Sequence, residues 1–131
     1  QLLLTGEVDL STAYNGRIWK AKKDGQKVDF SWNEGMLEPE YFVVLKGSPH
    51  KDNAMKLINF ALQTTQQEKF VKIMGYGPTN KLVLNDLTDS LKSNLPSSNV
   101  NFHKQFLLNG SWWANNEEKI LEMWNKWKLS Q

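Results

Sequence analysis

Apolar residues switch repeatedly between two spacings along this chain, and that switching restricts the fold more than any other feature. Val8-Asp9-Leu10-Ser11-Thr12-Ala13-Tyr14 alternates loosely, the pattern of a strand. After Asn15-Gly16, residues Arg17 to Lys23 read as a short helix with its lysines toward the carboxy end, where they complement the helix dipole. Asp24-Gly25 stops that helix. Val28-Asp29-Phe30-Ser31-Trp32 alternates strictly and predicts a second strand. Two strands joined by a helix make a β-α-β unit, so the expected class is α/β. Asn33-Glu34-Gly35 breaks the second strand, and Met36 to Glu40 reads as a loop containing Pro39. Tyr41-Phe42-Val43-Val44-Leu45 is a near-continuous apolar run, as expected of a third strand buried on both faces of a sheet.

The spacing then becomes helical. Ala54, Leu57, Ile58, Ala61 and Leu62 fall at i, i+3, i+4, i+7 and i+8 and predict an amphipathic helix. Thr65-Gln66-Gln67-Glu68 matches a capping box, with Thr65 as N-cap and Glu68 reaching back. The helix it opens carries Phe70, Ile73 and Met74 and ends at Gly75. Tyr76-Gly77-Pro78-Thr79-Asn80 is a turn cluster, residues 81–95 are partly helical, and Pro96-Ser97-Ser98-Asn99 is a loop. A last helix is expected from about Ser111 to Leu129, with Trp113, Ile120, Leu121, Trp124 and Trp127 as its apolar stripe. The opening Gln1-Leu2-Leu3-Leu4-Thr5-Gly6 reads as the end of a helix already under way, so a longer parent protein is expected.

Composition excludes several function classes. With 40% hydrophobic and 23% charged residues the chain reads as globular, and its net charge of +2 gives no ground for a nucleic-acid or anionic-membrane partner. The longest apolar runs are too short to span a bilayer, so no direct membrane insertion is expected. The absence of cysteine removes disulfides and thiolate metal sites. His50 and His103 are the only imidazoles and neither sits in a nucleophile or metal pattern. No H-E-x-x-H, G-x-S-x-G or P-loop is present. Catalysis therefore has little support, and neither a metal nor an organic cofactor is expected. An enzyme using Glu34 and Glu38 remains the weakest alternative.

Binding is better supported. Tyr14-Asn15-Gly16 lies where a strand gives way to a helix, and Glu34 follows the next strand. Ligands of open α/β sheets collect outside the carboxyl ends of strands, so Tyr14 and Glu34 are expected to face one crevice. Trp32, Glu34, Glu38, Glu40 and Tyr41 fall within ten residues and offer carboxylates and aromatic faces to a cationic amine. The free N–H groups of the helix that Gly16 opens suit a carboxylate, which brings amino-acid-like amines such as γ-aminobutyrate into consideration. The six tryptophans keep a carbohydrate receptor open as another alternative.

Several stretches carry a family resemblance. Gly6-Glu7-Val8-Asp9-Leu10 followed by Tyr14-Asn15-Gly16 resembles the G-E-V-x-L…[WY]-N-G stretch of the spermidine/putrescine-binding proteins. Trp32-Asn33-Glu34-Gly35 resembles their W-P-x-E-G, and Ala54-Met55-Lys56-Leu57-Ile58-Asn59-Phe60 is similar to their A-x-K-L-I-N-F helix. Gly75-Tyr76-Gly77-Pro78-Thr79-Asn80 resembles their G-Y-x-x-x-N turn, and Asn109-Gly110-Ser111-Trp112-Trp113 resembles N-G-x-W-x. The pieces occur in the family's order across nearly the whole chain.

The resemblance implies the carboxy-terminal portion of a type II periplasmic-binding-protein fold, in which two α/β lobes close on a solute. It implies that residues 1–40 belong to the second lobe, that 41–85 cross back to complete the first, and that 86–131 return to the second. The rest of the first lobe would come from a missing N-terminal part of the same protein. It implies a periplasmic or membrane-tethered receptor that delivers a polyamine, or another small organic cation or zwitterion, to the permease subunits of an ABC importer. Tyr14 and Tyr76 fall on the family's aromatic binding positions, and Trp113 falls where the family offers a polar side chain. After Gly35 the family places a Trp and, two residues on, an amine-pairing Asp, and here those positions hold Pro39 and Tyr41. Glu38 and Glu40 are the candidates to replace that acid. The expected ligand set is thus Tyr14, Asn15, Trp32, Glu34, Glu38, Tyr41, Tyr76 and Trp113.

Overall fold

Helices carry most of the regular structure in residues 1–130, the part of the chain that a computed structural model describes. The first, α1 (Leu2–Thr5), closes at Gly6 in the left-handed conformation. α2 spans Asn15–Lys23 with Lys20, Lys22 and Lys23 in its last turn, and Asp24 caps it as the spacing predicts. A three-residue strand, β1 (Gly35–Leu37), comes next. It is followed by α3 (Lys51–Ala61) and α4 (Thr64–Met74). Then come a 3-10 helix at Lys81–Asp86 and the short helices α5 (Asp89–Lys92) and α6 (Asn99–Phe102). Strand β2 (Gln105–Leu107) and the long helix α7 (Gly110–Leu129) complete the chain.

The sheet differs from the sequence expectation. β1 and β2 pair in parallel, with Gly35 opposite Gln105, Met36 opposite Phe106 and Leu37 opposite Leu107. The segments 8–14, 28–32 and 41–45, read as strands, have no ladder partner among the described residues. Alternation shows that a segment can line a sheet, but a strand exists only where a neighbour supplies its hydrogen bonds. The pair that does form is three residues long, too short for an alternating pattern to announce it. Met36, read as the start of a loop, is therefore the middle of β1.

The capping box is a second correction. α4 starts at Thr64 with Gln63 as N-cap, so Thr65 already lies inside the first turn and cannot cap it. The Gln63 carbonyl accepts the Gln66 and Gln67 N–H groups at 3.1 and 3.0 Å. Glu68 turns away and pairs with Lys72 at 2.6 Å instead. The predicted stop at Gly75 holds: this residue has φ 69° and its N–H donates to the Val71 carbonyl at 2.8 Å.

Val71 of α4, Val83 of the 3-10 helix, Leu87 and Leu95 form the buried apolar core, with Leu84 and Leu91 packed against it. Two buried amides brace it. Asn101 donates through Nδ2 to the Ser93 and Leu95 carbonyls, both at 2.9 Å. Gln67 donates to Thr79 Oγ1 and accepts from the Asn80 N–H, each at 3.0 Å. Elsewhere large apolar side chains stand exposed, including Phe42, Val43 and Leu45 of the 41–45 run and Leu57, Phe70 and Ile73 on α3 and α4. Exposure of Leu57, Phe70 and Ile73 is the outcome expected if their packing partners lie outside these residues. The stripe of α7 is likewise open at Leu121, Trp124 and Trp127.

Candidate functional site

The start of α2 and the turn after α4 are built against each other. Tyr14 is the N-cap of α2 with extended backbone, and its carbonyl accepts the Arg17 N–H at 3.0 Å while its ring stays exposed. Asn15 points its side chain across to the turn, where Nδ2 donates to the Gly75 carbonyl at 2.8 Å. Gly16 is buried. A Cβ on Gly16 would lie 2.6 Å from the Met74 carbonyl oxygen and 2.8 Å from Cζ of Tyr76, so only hydrogen fits between them. Gly75 meets α2 from the other side, since a Cβ there would come within 2.7 Å of the Trp19 ring.

Tyr76 is thereby fixed over the first turn of α2, and it stacks on Phe70 with ring centroids 6.3 Å apart and planes 20° from parallel. One residue on, Gly77 packs on Pro96 and Ser97. The Gln67 side chain holds Thr79 and Asn80 as described above. Three stretches of sequence thus converge on the 75–80 turn: α2, α4 and the 96–97 loop.

The second group of candidates surrounds the strand pair. Trp32 is half-buried and meets Phe30 edge-on with centroids 4.8 Å apart. Glu34 adopts φ 58°, a left-handed backbone that non-glycine residues seldom take, and its N–H donates to the Lys104 carbonyl at 2.8 Å. That turn delivers Gly35 to Gln105, whose side chain donates to the Pro96 and Asn101 carbonyls, both at 2.9 Å. Gln105 therefore connects the Trp32–Glu34 turn to the loop that packs on Gly77. Nothing in the spacing of Gln105 signals this role, and sequence reasoning missed it, together with Trp19 and Gln67.

The structure does not gather all the candidates. Asn15 bonds the residue before Tyr76, whose ring packs on Gly16, and Tyr14 is the chain neighbour of Asn15; Trp32 and Glu34 flank the turn that leads into Gly35, the strand partner of Gln105. Glu38, Glu40 and Tyr41 follow β1 on exposed chain. Trp113 lies in the first turn of α7, edge-on to Trp112, just after the Leu108 N–H donates to the Leu37 carbonyl at 2.9 Å. Asp29, three residues before Trp32, is held below its ordinary value by the Lys22 ammonium at 2.7 Å and by the Phe30 N–H. A surface depression of about 470 Å³ is lined by residues 43–49 and Ala54, which include no candidate. No group of three or more His, Asp or Glu poised to hold a metal occurs among the described residues, and none of their helices is long and apolar enough to cross a membrane.

A parallel strand pair flanked by helices, with aromatic and polar side chains gathered where α2 begins, defines an α/β arrangement. The chain belongs to the bacterial extracellular solute-binding protein family, whose profile matches residues 1–96. It is 35% identical over 127 residues to a γ-aminobutyric acid-binding protein of Pseudomonas aeruginosa, a match that covers 97% of this chain and 36% of that protein. It is 29% identical over 86 residues to the spermidine/putrescine-binding periplasmic protein of Escherichia coli, covering 64% of this chain and 24% of the relative. Among solved structures it superposes on the PBP AgtB of A. tumefaciens R10 in complex with agropinic acid, with a TM-score of 0.82, 37% identity, and coverage of 95% of this chain and 40% of the other. An ABC transporter substrate-binding protein of Bradyrhizobium japonicum gives a TM-score of 0.80 at 36% identity, over 86% and 36% of the two chains. The fold is thus α/β of the periplasmic-binding-protein type, and the chain spans roughly a third of the length of the γ-aminobutyric acid-binding relative.

Proposed function

We propose that this chain is the carboxy-terminal part of the substrate-binding component of an ABC importer. It captures, without catalysis, a small solute bearing an amine and a carboxylate, and hands it to a membrane permease from the periplasm. The observation that carries the reading is the Tyr76 ring lying over the first turn of α2, next to exposed Tyr14. An apolar aromatic wall beside free helix N–H groups suits a carboxylate with a short methylene chain. Glu34, Glu38 and Glu40 are the acids available for the amine. The γ-aminobutyric acid-binding relative matches more of the chain at higher identity than the spermidine/putrescine-binding one, which supports an amino-acid-like solute over a pure polyamine. Pro39 and Tyr41, in place of the Trp and amine-pairing Asp of the polyamine receptors, point the same way.

Polyamine capture is the second reading, supported by Tyr14 and Tyr76 falling on that family's aromatic positions. In either case residues 1–40 and 86–131 serve one lobe and 41–85 the other, with the remaining sequence of the parent protein supplying neighbours for 8–14, 28–32 and 41–45. The test is a thermal-shift panel of γ-aminobutyrate, putrescine, spermidine, amino acids and sugars on the protein with that remaining sequence in place. A ligand at a hundred times its Kd stabilises the folded state by about 2.7 kcal/mol. Stabilisation by γ-aminobutyrate above the amines supports the proposal, and stabilisation by the polyamines alone favours the second reading. Response to sugars alone, or turnover of any panel compound that is lost in Glu34→Gln, overturns both.

A further inference from the structure

We infer that Asn15 and Gly16 are positioning residues for solute capture: together they clasp the start of α2 to the 75–77 turn and so fix the spacing between Tyr14 and Tyr76. The inference rests on the proposed function, because it concerns the same site. It also gives another role to Asn15, which on sequence alone is expected among the ligand-binding residues.

The Asn15 amide is already committed. Its Nδ2 donates to the Gly75 carbonyl at 2.8 Å in a half-buried setting, joining residues sixty apart in sequence. That carbonyl belongs to the residue that closes α4 in a left-handed conformation, so the bond holds the turn by its most constrained member. Gly16 sets how near the two elements come. The Met74 carbonyl and the Tyr76 ring occupy the space a side chain would need, and the first of these is backbone that cannot swing aside. The turn has little freedom on its other sides. Trp19 covers Gly75, Pro96 and Ser97 cover Gly77, and Gln67 grips Thr79 and Asn80. Among the described residues the clasp is the one hydrogen bond that runs directly from α2 to the turn, and Tyr14 and Tyr76 are the chain neighbours of its two ends. A fixed separation of these rings turns the site into a ruler for the length of the solute.

Three variants test this in the full-length protein. Asn15→Asp keeps the size of the side chain and its place at the start of the helix but presents an oxygen to the Gly75 carbonyl. Asn15→Ala removes the bond outright, and Gly16→Ala wedges the two elements apart. Two readouts are taken. Hydrogen exchange at the Gly75 amide, whose N–H bonds the Val71 carbonyl at the end of α4, reports how far that turn loosens once the Gly75 carbonyl loses its Asn15 donor, with no ligand present. Calorimetric affinities for γ-aminobutyrate and for the ω-amino acid one carbon longer report the spacing. Loss of one such hydrogen bond is expected to speed Gly75 exchange and to weaken γ-aminobutyrate about three- to tenfold in both Asn15 variants. The effect of Gly16→Ala should be larger. The affinity ratio between the two ligands should fall by at least about threefold, since the loosened walls no longer discriminate. A residue that merely supported the fold would lower both affinities alike and leave the ratio untouched, and that result overturns the inference. So does unchanged Gly75 exchange in Asn15→Asp. If the unaltered protein binds neither ω-amino acid, the proposed function fails on its own, and the exchange measurement still decides whether the clasp exists.

Discussion

Leu95→Ala is expected to be among the costliest single truncations in this chain. The Leu95 side chain is 0% exposed and packs among Val71, Val83 and Leu87. Removing it returns roughly 2–3 kcal/mol of buried apolar surface to the account of the unfolded state. The cavity left behind adds to this, and buried Leu→Ala changes cost about 2–5 kcal/mol in total. Collapse offers little relief here. The core holds only four buried apolar side chains, and the Leu95 backbone stays pinned by its carbonyl to Asn101 at 2.9 Å and by its N–H to the Lys92 carbonyl at 3.0 Å. We therefore expect about 3 kcal/mol, a large share of the roughly 5–15 kcal/mol that a domain possesses. Urea unfolding of the full-length protein, followed by circular dichroism, measures it as a shift in midpoint at unchanged slope. Leu129→Ala is the control, because Leu129 is 89% exposed and its truncation should stay within about 0.5 kcal/mol. A Leu95→Ala cost below about 1 kcal/mol, or one equal to that of Leu129→Ala, would refute the placement of the core.

Two further outcomes follow from the same contacts. Gln67→Ala strips the Asn80 N–H and the Thr79 hydroxyl of their partner and should cost about 1–3 kcal/mol in the same urea assay; a change within about 0.5 kcal/mol would show that the amide does not tether the turn. Asp29 has its carboxyl lowered by Lys22 and the Phe30 N–H, so its contribution to stability is present above the unfolded value and is lost as pH falls through the lower folded one. The pair is solvent-exposed and the contribution small. An NMR titration should place the Asp29 midpoint below the ordinary 3.8 and return it toward 3.8 in Lys22→Ala, and an unchanged midpoint in that variant would remove the lysine as the cause.

What could be read from the sequence was whatever depends on neighbours in the chain. The ends of α2 and α4 follow from Asp24-Gly25 and Gly75, and the apolar spacing of Ala54 to Ala61 places α3, because caps and helical faces are settled within a few residues. Pairing is not local. Gly35-Met36-Leu37 finds its partner seventy residues away at Gln105-Phe106-Leu107, and no pattern within either triplet names the other. The reverse failure is equally physical. Val28 to Trp32 and Tyr41 to Leu45 have the composition of strands, yet among the described residues no edge is offered to them. Thr65-Gln66-Gln67-Glu68 fits a capping box by letters alone; a register two residues earlier puts Thr65 inside the helix, where its side chain has no cap to make.

The site divides along the same line. Tyr14, Asn15 and Tyr76 were legible because a helix start and a helix stop expose backbone groups, and the residues flanking them are recognisable as turn chemistry. Their meeting was not legible. Gly16 and Gly75 read in sequence as punctuation, whereas in the fold each is a contact surface, one for the Tyr76 ring and the other for Trp19. Glu38, Glu40 and Tyr41 make the opposite case, since their residue types suit an amine but the structure gives them no companion among the described residues. Tyr41 is 78% exposed, and so is Leu45 at the other end of the same run, an apolar stretch that costs free energy to leave in water. A single covering partner along this run would bury those apolar side chains. Without that partner the run stays in water, so both the proposed binding and the core stability are to be measured on the whole protein.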